Sequence, residues 1–438
     1  MPQKERKNMF YKINGSAGTG KTHAMIEKIK ELESTNTPYI LITPTNKAAM
    51  VLNSRLDNAG LNPCARTLHS TIYKWVQGDV KTTSKKRYID PTTNKFAVDE
   101  IGNPLYREEV EYYWNKEITD DIHNKVVLID ESSMVQSDVW YDLLNCEGII
   151  QIFAFGDEKQ LPPVEKYDIL ESHIKPYYRF WHNFDAHKTL TKNHRQAGDL
   201  KTFVDIIEQS LFSDRSSAIP VPLSVGNNFT IHASSITEDI LKQLIMNSDI
   251  VITPYVKVRD IVNTIRRKIQ ANESGVRYKD YPVVGDKVIF IDSLKIKEGK
   301  YRKLLIAKNT TGIIKNIHDT DLFNQMMLID FEDETGLLHH NVQISITKVT
   351  NSQLINGLPR IDYSYAVTAH KSQGGQWKDV LFLDSFWKED AEKLRYVAVT
   401  RATKFLSVVT GITNASEGES ANRSILIRLA KLVQQESK

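Results

Sequence analysis

The chain reads as an α/β protein built on parallel sheets flanked by helices, with two small insertions. Three observations predict this. The run GSAGTGKT at Gly15–Thr22 lies between an apolar strand candidate, Met9–Ile13, and a helical pattern. Short apolar runs alternate with helical spacing through the first third of the chain, as expected of a parallel sheet covered by helices. The alternation returns at DIVITPY from Asp249, and again at VLFLD from Val380 and FLSVV from Phe405, which predicts a second α/β domain.

Each element has a local reason. After the glycine loop, Met25, Ile26, Ile29 and Leu32 recur at helical spacing. YILIT at Tyr39 is a buried strand candidate, and Ala48, Val51, Leu52, Leu56 and Ala59 then mark the next helix. VVLI at Val126 and IIQIFAF at Ile149 complete the first sheet. From Lys81 to Asp121 the rhythm stops: a polar stretch with Pro91, Gly102 and Pro104 interleaves Tyr88, Phe96, Tyr106, Tyr112, Tyr113 and Trp114. It reads as an inserted hairpin or wedge, the alternative being a long surface loop, although structureless loops of that length are uncommon in compact domains. From Arg277 to Val349 the pattern turns to short strands, KVIFI, KLLIA, GIIKNI, QMMLIDF and NVQISI, with DETG at Asp333 as a hairpin turn. That is enough for a small β-barrel. Ile425, Leu426, Leu429, Leu432 and Val433 predict a last amphipathic helix.

Composition excludes several classes. A chain of 438 residues exceeds one ordinary core, so more than one domain is expected. Net charge is only +3, which by itself announces no nucleic-acid partner, so any basic track must be local. The two cysteines, Cys64 and Cys146, lack metal-ligand spacing and read as packing residues in a reducing compartment. No apolar run approaches the roughly 18 to 20 residues of a membrane span, and the start lacks a signal-peptide core. The expected location is the cytoplasm.

The chemistry concentrates at strand ends. GSAGTGKT fits the pattern that cradles phosphates, with Gly15, Gly18 and Gly20 letting amides crowd around oxygens. Lys21 is expected on the β- and γ-phosphates and Thr22 on Mg²⁺. Asp130 and Glu131 end the strand VVLI, the first as a Mg²⁺ ligand and the second as a general base. GDEKQLPPV at Gly156 ends another strand, so Gln160 projects at the same edge, within reach of the γ-phosphate or attacking water. Whatever the following Leu161-Pro162-Pro163 touches would feel its loss on hydrolysis.

Taken in order, GSAGTGKT, TPTNKAA at Thr43, ARTLHS at Ala65, DESSM at Asp130, GDEKQLPPV, NHRQ at Asn193, YAVTAHKSQG at Tyr365 and YVAVTRA at Tyr396 resemble the superfamily 1 DNA helicases. The chain looks most like the RecD-like and Dda-like branch, which moves 5′ to 3′. The resemblance covers nearly the whole chain, from Gly15 to Thr403. It implies two RecA-like P-loop NTPase domains, one over 1–80 and 122–195, the other over 196–276 and 350–438. It places a strand-splitting pin at 81–121, with Tyr88, Phe96 or Tyr106 as candidate tips, and an SH3-like barrel at 277–349.

By the same resemblance, Arg195 and Arg401 reach the γ-phosphate from the second domain, where a planar guanidinium suits phosphate oxygens, and Gln373 and Gly374 lie at the same cleft. Pro44, Thr45, Asn46, Thr67, His69 and Ser70 match DNA-backbone contacts of the first domain, and Thr253, Pro254, His370, Lys371 and Ser372 their counterparts in the second. Hydroxyls and amides suit contacts that slide, because they position without reading sequence. One departure is that the family's adenine-reading glutamine sits in a helix before the glycine loop. Gln3 is present here without a helical pattern around it.

The implied function is an ATP- and Mg²⁺-dependent DNA helicase, acting as a monomer on single-stranded and tailed duplex DNA, with single-strand-binding or replication proteins as possible partners. Two alternatives stay open: a DNA-stimulated translocase that remodels protein–DNA complexes without efficient unwinding, and a nucleotide-gated subunit of a larger complex.

Overall fold

The structure is a computed structural model describing residues 10–62, 64–87, 105–163, 165, 175–196, 198–210, 227–233, 236–298, 301–322, 325–346, 358–384, 391–410 and 418–436. Gln3, Tyr88 and Phe96 lie outside them.

Two parallel sheets organise the chain. The first orders its strands Arg66–Thr67, Tyr39–Thr43, Val126–Ile129, Gln151–Gly156, Phe10–Gly15 and Lys188–Leu190. Phe10–Gly15 lies between two parallel neighbours, so the glycine loop leaves the sheet from its interior. One face packs Met25, Ile29, Leu52 and Leu56 of two helices, and the other packs Trp140, Leu143 and Trp181. The second sheet orders Ala366–Thr368, Ile250–Thr253, Trp377–Asp384, Ala402–Thr410 and Phe229–Ala233, also parallel. Its strands are buried on both faces, which is why they read as unbroken apolar runs. Leu161 belongs to this second core although it directly follows Gln160 of the first sheet's edge.

The first insertion is a two-stranded antiparallel ribbon, Tyr73–Arg87 against Tyr106–Ile118. It begins at Tyr73 rather than near Lys81, because backbone pairing from Tyr73↔Ile118 continues regardless of where the side chains become polar. The β-rich segment forms a five-stranded antiparallel sheet in the order Leu338–Ser345, Met326–Asp333, Thr311–Asp321, Lys287–Phe290 and Ile361–Tyr363. The last strand lies beyond Val349. Its start bridges back to the opposite edge through Ser345↔Arg360 and Ser345 N→Pro359 O at 2.9 Å, so the sheet closes on itself and leaves less open edge. Val288, Phe290, Ile314, Ile329 and Phe331 fill it. A buried hub ties its entrance to the second sheet: Asp286 accepts from Arg267 Nε at 3.1 Å and from Tyr365 Oη at 2.9 Å. Among the described residues no helix is long and apolar enough to cross a membrane.

Candidate functional site

The strand Phe10–Gly15 runs into the glycine loop, which feeds the helix Lys21–Ser34. Gly18 and Gly20 both have φ of +85°, which disfavours any side chain. At Gly18 the space is also taken, since a Cβ would come within 2.6 Å of Arg195 Cβ and Asn193 Oδ1. His194 N donates to Gly18 O at 2.8 Å, so the NHRQ segment lies directly on the loop. Lys21 Nζ donates to Gly15 O at 2.6 Å and to Ser16 O at 3.2 Å, which holds its charge against the loop that it would serve.

Asp130 and Glu131 follow the fully buried strand Val126–Ile129. Glu131 sits in the left-handed region at φ +50°, a cost of order 1 kcal/mol, and its amide donates to Asp130 Oδ1 at 3.0 Å. Burial, and then the neighbouring Glu131, push the Asp130 carboxyl up to about 6. Glu131 Oε2 is buried with no hydrogen-bond partner among the described residues. A buried carboxylate held at this cost beside a second one, with the Thr22 hydroxyl lining the same cleft, is a hard-oxygen set that fits Mg²⁺.

The Thr22 hydroxyl accepts from Arg55 Nη1 at 2.7 Å. Arg55 lies on the helix Asn46–Asn58 and lines the cleft. Nothing local distinguishes it in sequence from a solvated helix arginine, because its partner comes from another helix.

Arg195 and Arg401 meet at the same place. Arg195 Nη1 donates to Thr400 O at 3.3 Å, and Arg401, 3% exposed, donates to Val397 O, Gly375 O and Thr400 Oγ1. Burial, then Arg401, then Arg55 lower the Arg195 pKa to about 10. Burial also lowers that of Arg401, while Glu131 opposes this. Crowded guanidiniums of this kind gain from an incoming anion. Gln160 is 3% exposed with its Oε1 unpartnered, and Gln373 Nε2 is likewise buried and unpartnered among the described residues. Gly374 has φ of +78°. Together these groups line a cleft of about 580 Å³ that takes in Lys21, Thr22, Asp130, Glu131, Arg195 and Arg401.

The residues expected along a strand track divide into two sets. Pro44, Thr45, His69 and His370 line a smaller pocket of about 260 Å³ together with Pro162 and Gln373, so both sheets contribute to it. Thr45 caps its helix by accepting from Ala48 N, and Thr67 caps the next by accepting from Ser70 N. Asn46 and Pro254 are partly exposed, and Ser70 is exposed. Burial lowers the pKa of Lys371. Thr253 and Ser372, by contrast, are fully buried, and Ser372 Oγ donates to Ala369 O at 2.7 Å. Their hydroxyls face protein rather than solvent, because each sits where a buried strand or a short helix turns inward. Tyr106 lies on the ribbon strand Tyr106–Ile118.

The glycine loop, the strand-end acid pair and Arg401 of the second sheet share one cleft. Arg195, expected from the second domain, instead follows the first sheet's strand Lys188–Leu190 and lies on the glycine loop, because the NHRQ segment packs there before the chain enters the second sheet. Residues 3–166 match the AAA domain family and residues 363–409 the UvrD-like helicase C-terminal domain family. The first match falls on the first parallel sheet and the second on the second sheet. A relative described as an uncharacterized protein of Methanocaldococcus jannaschii is 24% identical over 473 residues, covering 92% of this chain. The chain spans 37% of that relative's length. Among solved structures, the Pif1 helicase from Candida albicans is 16% identical, with 98% of each chain covered and a TM-score of 0.48. The Bacteroides Pif1 bound to single-stranded DNA is 18% identical, with 94% of this chain and 92% of the other covered and a TM-score of 0.46.

Proposed function

We propose that this chain is an ATP-driven, Mg²⁺-dependent DNA helicase of the Pif1/Dda-like kind that moves 5′ to 3′ on single-stranded DNA and separates duplex. One observation carries the reading: Lys21, Asp130 and Glu131 of the first sheet line a single cleft with Arg401 of the second and with Arg195 of the NHRQ segment between them. The proposed lobes are built on the two parallel sheets, the first interrupted by the ribbon Tyr73–Ile118 and the second by the β-rich sheet that ends with Ile361–Tyr363. The ribbon is the pin, and the β-rich sheet, closed by residues 359–363 beyond the expected bound at Val349, is the SH3-like arm.

In this mechanism the glycine-loop amides and Lys21 bind the β- and γ-phosphates, and Thr22 and Asp130 hold the metal ion. When bound there, Mg²⁺ would supply charge neutralisation on the phosphate oxygens. Glu131, with a buried unpartnered oxygen, takes the proton from the attacking water. Arg195 and Arg401 exchange their carbonyl partners for γ-phosphate oxygens and neutralise the developing charge. Gln160 lies at the cleft while Leu161 is packed in the second core, so loss of the γ-phosphate pulls on the lobe that grips DNA. Pro44, Thr45, Asn46, Thr67, His69 and Ser70 grip the strand from one lobe, and Pro254, His370 and Lys371 from the other. Thr253 and Ser372 shape the track from beneath. Melting one base-pair step costs on average about 1.4 kcal/mol, within reach of one hydrolysis event.

The test is ATP turnover with and without single-stranded DNA, together with unwinding of duplexes bearing a 5′ or a 3′ tail. Stimulation by DNA and use of the 5′ tail are expected. Preference for the 3′ tail removes the polarity, translocation without strand separation favours a remodelling translocase, and absence of turnover removes the enzyme. Glu131→Gln is expected to keep nucleotide affinity and lose at least about 10²-fold in turnover.

A further inference from the structure

We propose that Tyr396 is a positioning residue for hydrolysis, one phenolic oxygen tying the helix that leads to Arg401 both to the glycine loop and to the Asp157–Gln160 turn. The inference rests on the functional reading above and deepens it. Tyr396 lies on the helix Ala391–Val399 and is fully buried. Its hydroxyl donates to Asp157 Oδ2 at 2.8 Å and accepts from the Ala17 amide at 3.0 Å. A single atom of the second lobe therefore touches two separate segments of the first.

Both partners belong to the proposed machinery. Ala17 is a residue of the glycine loop. Asp157 is 1% exposed, follows the strand Gln151–Gly156 and opens the turn that carries Gln160; its Oδ1 accepts from Lys159 N at 3.1 Å. Burial raises the Asp157 pKa, and Lys21 and the tyrosine hydroxyl counter it. The second carboxylate oxygen takes the phenol at 2.8 Å, with the Gln160 Nε2 amide a longer donor to the same atom at 3.5 Å. Burial and Asp157 hold the Tyr396 phenol well above its ordinary range, so it stays a donor at working pH.

On the other side, Thr400 Oγ1 donates to Tyr396 O at 2.7 Å and accepts from Arg401 Nη2 at 2.9 Å, while Thr400 O accepts from Arg195 Nη1. Placing Tyr396 therefore places both arginines. One residue earlier, Arg395 Nε donates to Asp384 Oδ2 at 2.9 Å, a buried pair that fixes the same helix to its own sheet. Arg395 sets the helix within its lobe, and Tyr396 sets it against the other. Were ring packing the only role, phenylalanine would serve equally.

Tyr396→Phe keeps the ring and removes only the hydroxyl. Expected are a folded chain with a melting temperature lower by a few degrees, because Asp157 Oδ2 and the Ala17 amide lose a partner, ADP affinity within about threefold, and turnover lower by about tenfold or more, the scale of a lost hydrogen bond to a charged group. Affinity for a non-hydrolysable ATP analogue with Mg²⁺ should weaken by a similar factor, and in combination with Asp157→Asn the two losses should be far from additive. Wild-type affinity for the analogue in Tyr396→Phe, or additive losses, overturns the proposal. That binding readout stands whether or not the wild-type chain hydrolyses ATP, so a chain without turnover refutes the function while the analogue cycle still decides the role of Tyr396.

Discussion

Replacing Asp130 with asparagine should stabilise the metal-free protein while abolishing its proposed activity. The Asp130 carboxyl is raised from an ordinary 3.8 to about 6, chiefly by burial and then by Glu131. A carboxyl with a raised folded-state pKa binds its proton more tightly in the folded chain than in the unfolded one. Below about pH 4 both states are protonated and nothing is lost; between pH 4 and 6 the unfolded state ionises first; above 6 the folded state carries a constant penalty. A rise of this size corresponds to about 3 kcal/mol. Asparagine keeps an oxygen for the Glu131 amide, now accepted at 3.0 Å, and carries no charge. At pH 7.5 without metal or nucleotide, Asp130→Asn should therefore be more stable by about 2–3 kcal/mol, a rise of several degrees in melting temperature for a lobe of roughly 200 residues. The gain should shrink on acidification to pH 4. Added Mg²⁺ with nucleotide should raise the melting temperature of the wild type far more than that of the variant. Thermal melts across pH, with and without Mg²⁺, read all of this. An Asp130→Asn chain that melts at or below wild type at pH 7.5, or whose advantage is as large at pH 4, refutes the reasoning.

Other outcomes follow from the same geometry. Arg401→Ala should cost about 10³-fold in DNA-stimulated turnover, and Arg401→Lys should recover only a minor part because a point charge cannot match the planar fork; steady-state kinetics with saturating DNA measures both. Asp286→Ala strands the buried Arg267 and releases Tyr365, so stability should fall by about 3–5 kcal/mol in urea unfolding; an unchanged midpoint would show that the hub does not hold the β-rich insertion.

Much of the fold lay open in the sequence because its signals are local. A strand flanked by buried neighbours must be apolar throughout, so YILIT and VVLI announce themselves. A loop that wraps phosphate needs residues free to take positive φ, so GSAGTGKT does too, and Gly18 and Gly20 adopt that backbone. Acids, amide and arginines named from motif order all line one cleft. What tertiary structure alone decided depends on partners far apart in the chain. Arg55 reaches Thr22 from another helix, Tyr396 reaches Asp157 and Ala17 across the two lobes, and Leu161 joins a core that its own strand does not build. The β-rich sheet closes through Ser345 and Pro359, a pairing that no alternation pattern encodes. Burial of the Thr253 and Ser372 hydroxyls was equally invisible, since a threonine at a strand end reads the same whether it faces solvent or protein. Periodicity records which way a side chain points within its own element; the group it meets there is set by how the elements pack.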